Sequence, residues 1–177
     1  MKTITITFLN PIRYTDIDSI TEENGIYYIF QKTDIDNVDY NNYIKYNYFC
    51  NTINTNSYIY KPLYIGKSCR NKSRGGIRER IKEHINSEKD KKIYDYIKTL
   101  KSIQSIGIPT DMFITTYTGL ESDDEIELVE AALIFSNKTK LCMNEQNTIS
   151  YNREYVTINI IGNTYGLNPV NIARKNT

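Results

Sequence analysis

Two short runs of β-branched and aromatic residues, Ile26 to Gln31 and Tyr58 to Ile65, constrain this chain more than anything else in it. Such side chains suit a pleated, half-buried surface, so both runs read as strands. The segment between them, Asp34 to Asn56, is rich in Asn, Asp and Tyr and reads as an insertion or long excursion. Strands joined across such an excursion pair most simply as antiparallel neighbours. A sheet is therefore the organising element.

Helices follow. Ile77, Ile81 and Ile85 recur at helical spacing after Gly75-Gly76, and Ile93, Ile97 and Leu100 repeat the pattern within Lys91 to Ile103. Gly107-Ile108-Pro109 ends that stretch, and Met112 to Tyr117 reads as a third strand. Ser122 with Glu125 three residues on, and Asp123 and Asp124 between them, predicts a capped helix start running to about Asn137. Alternation at 2–9 and β-branched content at 155–161 predict further strands at the two ends, and 164–177 reads as a polar tail. The fold class is α+β: a small, mainly antiparallel sheet, three-stranded at its core with terminal additions, flanked by helices.

The 177 residues suit a single domain, 1–177. A net charge of +1 gives no global basic field, so a nucleic-acid partner would have to meet a local patch. Cys50, Cys69 and Cys142 lack metal-ligand spacing and read as free thiols of a reducing compartment. No run of eighteen apolar residues exists, and Met1 to Ile4 does not begin a signal peptide, so a soluble, cytoplasmic protein is expected. Sixteen tyrosines lower the weight of any one of them.

Arg80 and His84 are four apart, on one helical face beside the isoleucine stripe, and His84 is the sole histidine. An arginine fork suits a phosphate; an ordinary charged surface helix is the alternative. Glu130 has Ile126, Glu127, Leu133 and Ile134 three and four residues away, three of them apolar, which puts it at or near a buried face. A carboxylate there needs a cation, an arginine or a metal ion, unless it reaches solvent from a helix boundary. Mg²⁺ is held by one or two carboxylates with waters and substrate oxygens, so one Glu suffices for a one-metal phosphodiesterase. Tyr27 and Tyr64 are core fillers on one reading. On another they are phenols that a nearby cation makes more acidic, able to orient or deprotonate a water. Between residues 67 and 82, Lys67, Arg70, Lys72, Arg74, Arg78, Arg80 and Lys82 stand against Glu79 alone, seven positive charges to one negative. This is either a backbone-phosphate footprint or a solvated face.

Taken in order, Gly25-Ile26-Tyr27, Tyr64-Ile65-Gly66-Lys67-Ser68, Arg80 with His84, Glu130 and Asn144 resemble the GIY-YIG nuclease family, across roughly residues 25–147. The resemblance implies a three-stranded antiparallel sheet flanked by helices, and hydrolysis of double-stranded DNA that depends on Mg²⁺ or Mn²⁺. It implies that Glu130 binds the metal and Arg80 steadies the scissile phosphate. Tyr27 would be the preferred general base, with Tyr64 placing the water and His84 tuning a tyrosine. Lys67 would contact phosphate or water, and Asn144 would brace the site. Lys67, Arg70, Lys72, Arg74, Arg78 and Lys82 would form the DNA contact. The tyrosines lie 37 residues apart, so 32–57 counts as an insertion, and Arg78 competes with Arg80 for the arginine role. The insertion and the extension 151–177 would read DNA or form a homodimer. A stand-alone endonuclease of restriction or phage type is expected, with an RNA-cleaving toxin or a non-catalytic nucleic-acid-binding domain as alternatives.

Overall fold

The computed structural model describes residues 2–39, 41, 57–71, 75–86, 91–144 and 156–171. The strands are β1 (Lys2–Ile6), β2 (Ile12–Arg13), β3 (Gly25–Asp34), β4 (Tyr58–Ser68), β5 (Thr110–Tyr117), β6 (Val156–Ile160) and β7 (Val170–Asn171). The helices are α1 (Gly76–Asn86), α2 (Lys91–Ser105) and α3 (Asp123–Asn137), and a 3-10 segment spans Tyr14–Ser19. The fold is α+β, as the patterning implies.

The main sheet has the order β2-β5-β3-β4, with every pair antiparallel. Central β3 is covered on both faces, which is why its Ile26 to Phe30 run is unbroken by polar residues. Alternation still sorts the two faces. Ile26, Tyr28 and Phe30 join a cluster with Ile65, Val129 and Leu133; Tyr27 and Ile29 join another with Ile77, Ile81, Ile97 and Leu100. Each fully buried aliphatic side chain contributes about 1.5–3 kcal/mol.

One irregularity in the pairing bears on the site. Ile29 faces Tyr64, but Phe30 faces Pro62, so Leu63 is an extra residue on β4. A bulge bends the strand and re-aims the side chains beyond it. Here it directs Leu63 and Tyr64 toward the same cluster. Pro62 lies on an edge strand beside the bulge, where the missing N–H is tolerated.

The terminal strands depart from expectation. They do not extend the main sheet but form a second one, β1-β6-β7, in which β1 and β6 run parallel. The physical reason lies in α3. Its Ile126, Val129, Ala132, Leu133, Ile134 and Asn137 are all buried, more than one apolar stripe. The helix packs on β3 and β4 and also on β6 and β7, so a second layer is needed to bury it. Ile4, Ile6, Val156, Ile158, Leu167 and Val170 supply that layer.

Smaller corrections follow. The first strand stops at Ile6, and Leu9 bonds instead to Thr116 at the sheet end. Strand β2 lies outside the expected strands, the 3-10 segment overlaps polar residues 16–24, which read as a loop or short helix, and β7 lies within the expected polar tail. Strand β3 continues to Asp34, so 32–34 belong to the sheet rather than to an insertion. The remainder of that insertion from 42 to 56 lies outside the described residues, as do 151–155 and 172–177 of the C-terminal extension. The described part of the extension contributes to the core through one face: Tyr165 stacks on Phe30 with ring centroids 4.7 Å apart, and its carbonyl accepts from the Tyr28 hydroxyl at 2.8 Å. Among the described residues no helix is long and apolar enough to cross a membrane.

Candidate active site

Tyr27 sits opposite Gly66 on the neighbouring strand. A Cβ on Gly66 would fall inside the Tyr27 ring and its hydroxyl, and against the Tyr64 ring. The glycine is therefore the floor on which the Tyr27 ring lies, an aromatic covering a cross-strand glycine. Gly25, at φ +153°, has an equally local reason: a Cβ there would strike the Tyr117 carbonyl. Tyr64 is diagonal to Tyr27 on the same face, and the two ring centroids lie 6.1 Å apart.

Helix α1 completes the aromatic group. Its first turn is tied to the distant loop before β3, Ile77 N–H to the Glu23 carbonyl at 2.9 Å and Arg78 N–H to that of Thr21 at 3.2 Å. These bonds satisfy orphan donors and fix where the helix points. Ile77 and Ile81 enter the core, and His84, one turn on, is 4 % exposed. Its Nε2 lies 2.7 Å from the Tyr27 hydroxyl. The His84 ring is 5.0 Å from that of Tyr64 and 6.0 Å from that of Tyr27, centroid to centroid.

Tyr27 is fully buried, and burial first, then the Tyr64 phenol, pushes its hydroxyl well above the usual value; the Arg80 charge opposes this and loses. The expectation of an acidified Tyr27 is thus corrected, because desolvation of the phenolate outweighs the nearby cation. At neutral pH Tyr27 is a phenol. With Nε2 unprotonated, it can donate to His84.

Arg80 is half-exposed at the mouth of this group and pairs with Glu83 on its own helix. Its guanidinium acts on both phenols and on Glu130. Arg78, the competitor, is turned away: its Nε donates to the Ile20 carbonyl at 2.7 Å, and its Nη1 to Glu22 at 2.6 Å. Arg80 is the arginine that faces the phenols.

Glu130 arrives from the opposite face of the sheet, on α3, where that helix crosses edge strand β4. The Lys67 ammonium, one residue beyond Gly66, lies 2.8 Å from Glu130 Oε2 and 3.6 Å from Glu127 Oε1. Burial raises the Glu130 carboxyl above its usual 4.5 despite Lys67, and Glu127 adds to the rise. Burial alone would lower Lys67, but Glu130 and then Glu127 hold it charged. The Glu130 charge also acts on Tyr27, and the Arg80 charge acts on both.

Asn144 meets edge strand β4 as a further strand would. Its Oδ1 accepts from the Ile65 N–H at 2.9 Å and its Nδ2 donates to the Ile65 carbonyl at 2.8 Å. Met143 N–H donates to the Leu63 carbonyl at 3.0 Å, beside the bulge. The unpaired edge between Leu63 and Ile65, on either side of Tyr64, is thereby satisfied.

The basic stretch is less available than its charge count implies. Arg70 donates to the carbonyls of Glu121 and Leu120, Arg78 pairs with Glu22, and Lys82 pairs with Asp18 at 2.9 Å and Glu79 at 3.5 Å. Lys72 and Arg74 lie outside the described residues. The acids that hold these cations come largely from distant segments, which charge counting over a short window does not see. Glu83 and Glu127 are different: each lies three residues from a singled-out residue on the same helix, and that spacing was the signal for them.

A divalent cation fits Glu130 chemically. It is a mostly buried carboxylate that already holds one cation, the Lys67 ammonium, and it offers hard oxygen. Among the described residues no cluster of three or more His, Cys, Asp or Glu side chains forms a protein-only metal cage. Two concavities of about 360 and 490 Å³ lie elsewhere and are lined by none of Tyr27, Tyr64, Lys67, Arg80, His84, Glu130 or Asn144. No family model, curated protein or solved structure matches the chain.

Proposed function

We propose that this chain is a metal-dependent endonuclease of the GIY-YIG type, hydrolysing phosphodiester bonds in double-stranded DNA. The observation that carries the reading is the convergence, from two strands and two helices, of a Tyr27–His84 hydrogen bond, the Arg80 guanidinium and the Glu130–Lys67 pair. A phosphodiester needs a positioned water, a route for its proton and positive charge around the phosphoryl oxygens.

In this reading Tyr27 holds the attacking water. Because it is neutral, it works as a relay: it gives its hydroxyl proton to His84 Nε2 as it takes one from the water. Tyr64, half-buried beside it, orients that water. Arg80 leaves Glu83 for the phosphate, where its fork donates two bonds. Glu130 would hold Mg²⁺ or Mn²⁺, which when bound supplies charge stabilisation at the phosphoryl oxygens. Lys67 adds a second positive charge near the phosphate. Asn144 keeps β4, and with it Tyr64, in register.

The test is a nicking assay on supercoiled plasmid with Mg²⁺, comparing the wild type with Glu130→Ala and Arg80→Ala. Both variants should lose cleavage by about 10²-fold or more, and Glu130→Ala should still bind duplex. Equal activity in all three proteins would end the catalytic assignment. Cleavage of RNA with none of duplex DNA would move the substrate to RNA.

A further inference from the structure

Lys67 stands between two carboxylates, and the spacing has a consequence. Glu127 and Glu130 are three residues apart on one face of α3. The ammonium is 2.8 Å from the inner carboxylate and 3.6 Å from the outer, so a shift of under about 1 Å exchanges its nearer partner. Glu130 is 17 % exposed and Glu127 is 42 % exposed. An ammonium resting on the outer carboxylate therefore keeps more of its hydration.

An ammonium and a divalent cation on one carboxylate repel each other strongly at short range. A lysine with no second carboxylate in reach would stay on Glu130 and compete with the metal. A lysine with one in reach can move aside without becoming an unpaired charge. We propose that Glu127 is a positioning residue that receives Lys67 when Glu130 takes a divalent cation. Lys67 is then a displaceable occupant of the carboxylate, and Glu127 sets how readily it leaves. The proposal rests on Glu130 being the metal carboxylate.

A double-mutant cycle on the full chain separates this from simpler roles of Glu127. Binding of Mn²⁺ alone is measured by calorimetry and by the paramagnetic resonance signal of the free ion. The proteins are the wild type, Glu130→Gln, Glu127→Gln, Lys67→Met and the Glu127→Gln/Lys67→Met pair. Expected is loss of the site in Glu130→Gln, about five- to tenfold weaker Mn²⁺ binding in Glu127→Gln, and less than about twofold effect of Glu127→Gln once Lys67 is Met. Lys67→Arg, which keeps a cation, should restore the dependence on Glu127 and guards against a folding defect in Lys67→Met.

An equal loss from Glu127→Gln in both backgrounds would make Glu127 a direct ligand or a through-space charge, and would overturn the exchange. So would no loss in either background. Binding unchanged by Glu130→Gln would instead remove the metal reading of Glu130, and the exchange with it.

Discussion

Tyr27 shows how much the surroundings of one residue decide its chemistry. Its neighbour Tyr28 has the same side chain on the same strand, and differs only in facing α3, where its hydroxyl is spent on the Tyr165 carbonyl. Tyr27 faces α1 and finds His84. Burial keeps its proton on, so its value to a reaction lies in passing that proton along. Tyr27→Phe should therefore cost more rate than Tyr64→Phe in single-turnover cleavage, by about tenfold or more. A larger loss from Tyr64→Phe would reverse the two roles. Glu130 gives a pH prediction. Burial holds its carboxyl above the usual value, and only the carboxylate can hold a metal, so metal binding should weaken as pH falls and the acid limb of the cleavage profile should move to lower pH as Mg²⁺ is raised. The sign for stability is opposite: a raised carboxyl favours the folded state below its unfolded pKa, and that advantage is lost as pH rises through the folded value. Glu130→Gln should raise the thermal midpoint at about pH 7 and leave it unchanged at about pH 4.

At the scale of elements, the site depends on a strand pair whose surfaces fit. The ring of Tyr27 on β3 fills the space above Gly66 on β4, and the bulge at Leu63 aims Tyr64 at the same spot. Gly66→Ala should destabilise the protein by about 1–3 kcal/mol, as overpacking does. It should also displace Tyr27 from His84, so chemical denaturation and the pH profile of cleavage would both change. A fully active, equally stable Gly66→Ala would mean that the strands part without consequence. Asn144→Ala removes both bonds to Ile65 and leaves an edge N–H and carbonyl without them, at about 1–3 kcal/mol. Asn144→Asp keeps one acceptor and should recover part of this. These elements were largely legible: the runs around Tyr27 and Tyr64 announced strands, and the isoleucine spacing announced α1. The bulge was signalled by Pro62, whose meaning depends on knowing that β4 is an edge.

The whole molecule determines charge and layering. Arg70, Arg78, Arg80, Lys67 and Lys82 each have carboxylate or carbonyl partners, so the basic stretch is partly neutralised before any ligand arrives. Seven free phosphate contacts on duplex DNA would give a slope of roughly −6 in log affinity against log salt. We expect a shallower one, about −2 to −3, measured by fluorescence anisotropy with Ca²⁺ in place of Mg²⁺. A slope near the full value would show that the ion pairs break on binding.

The sequence by itself determined the longer strands and the helices α1, α2 and α3, and which residue types lie near each other along them, because strand and helix periodicity and glycine placement are local. The tertiary structure alone decided that Arg78 turns to the loop while Arg80 faces the phenols, that Tyr27 stays protonated, that Lys67 bridges two acids, and that the terminal strands build a second sheet. Each of these depends on burial and on partners far away in the chain. Periodicity marks which face of an element is buried, not which partners meet it there.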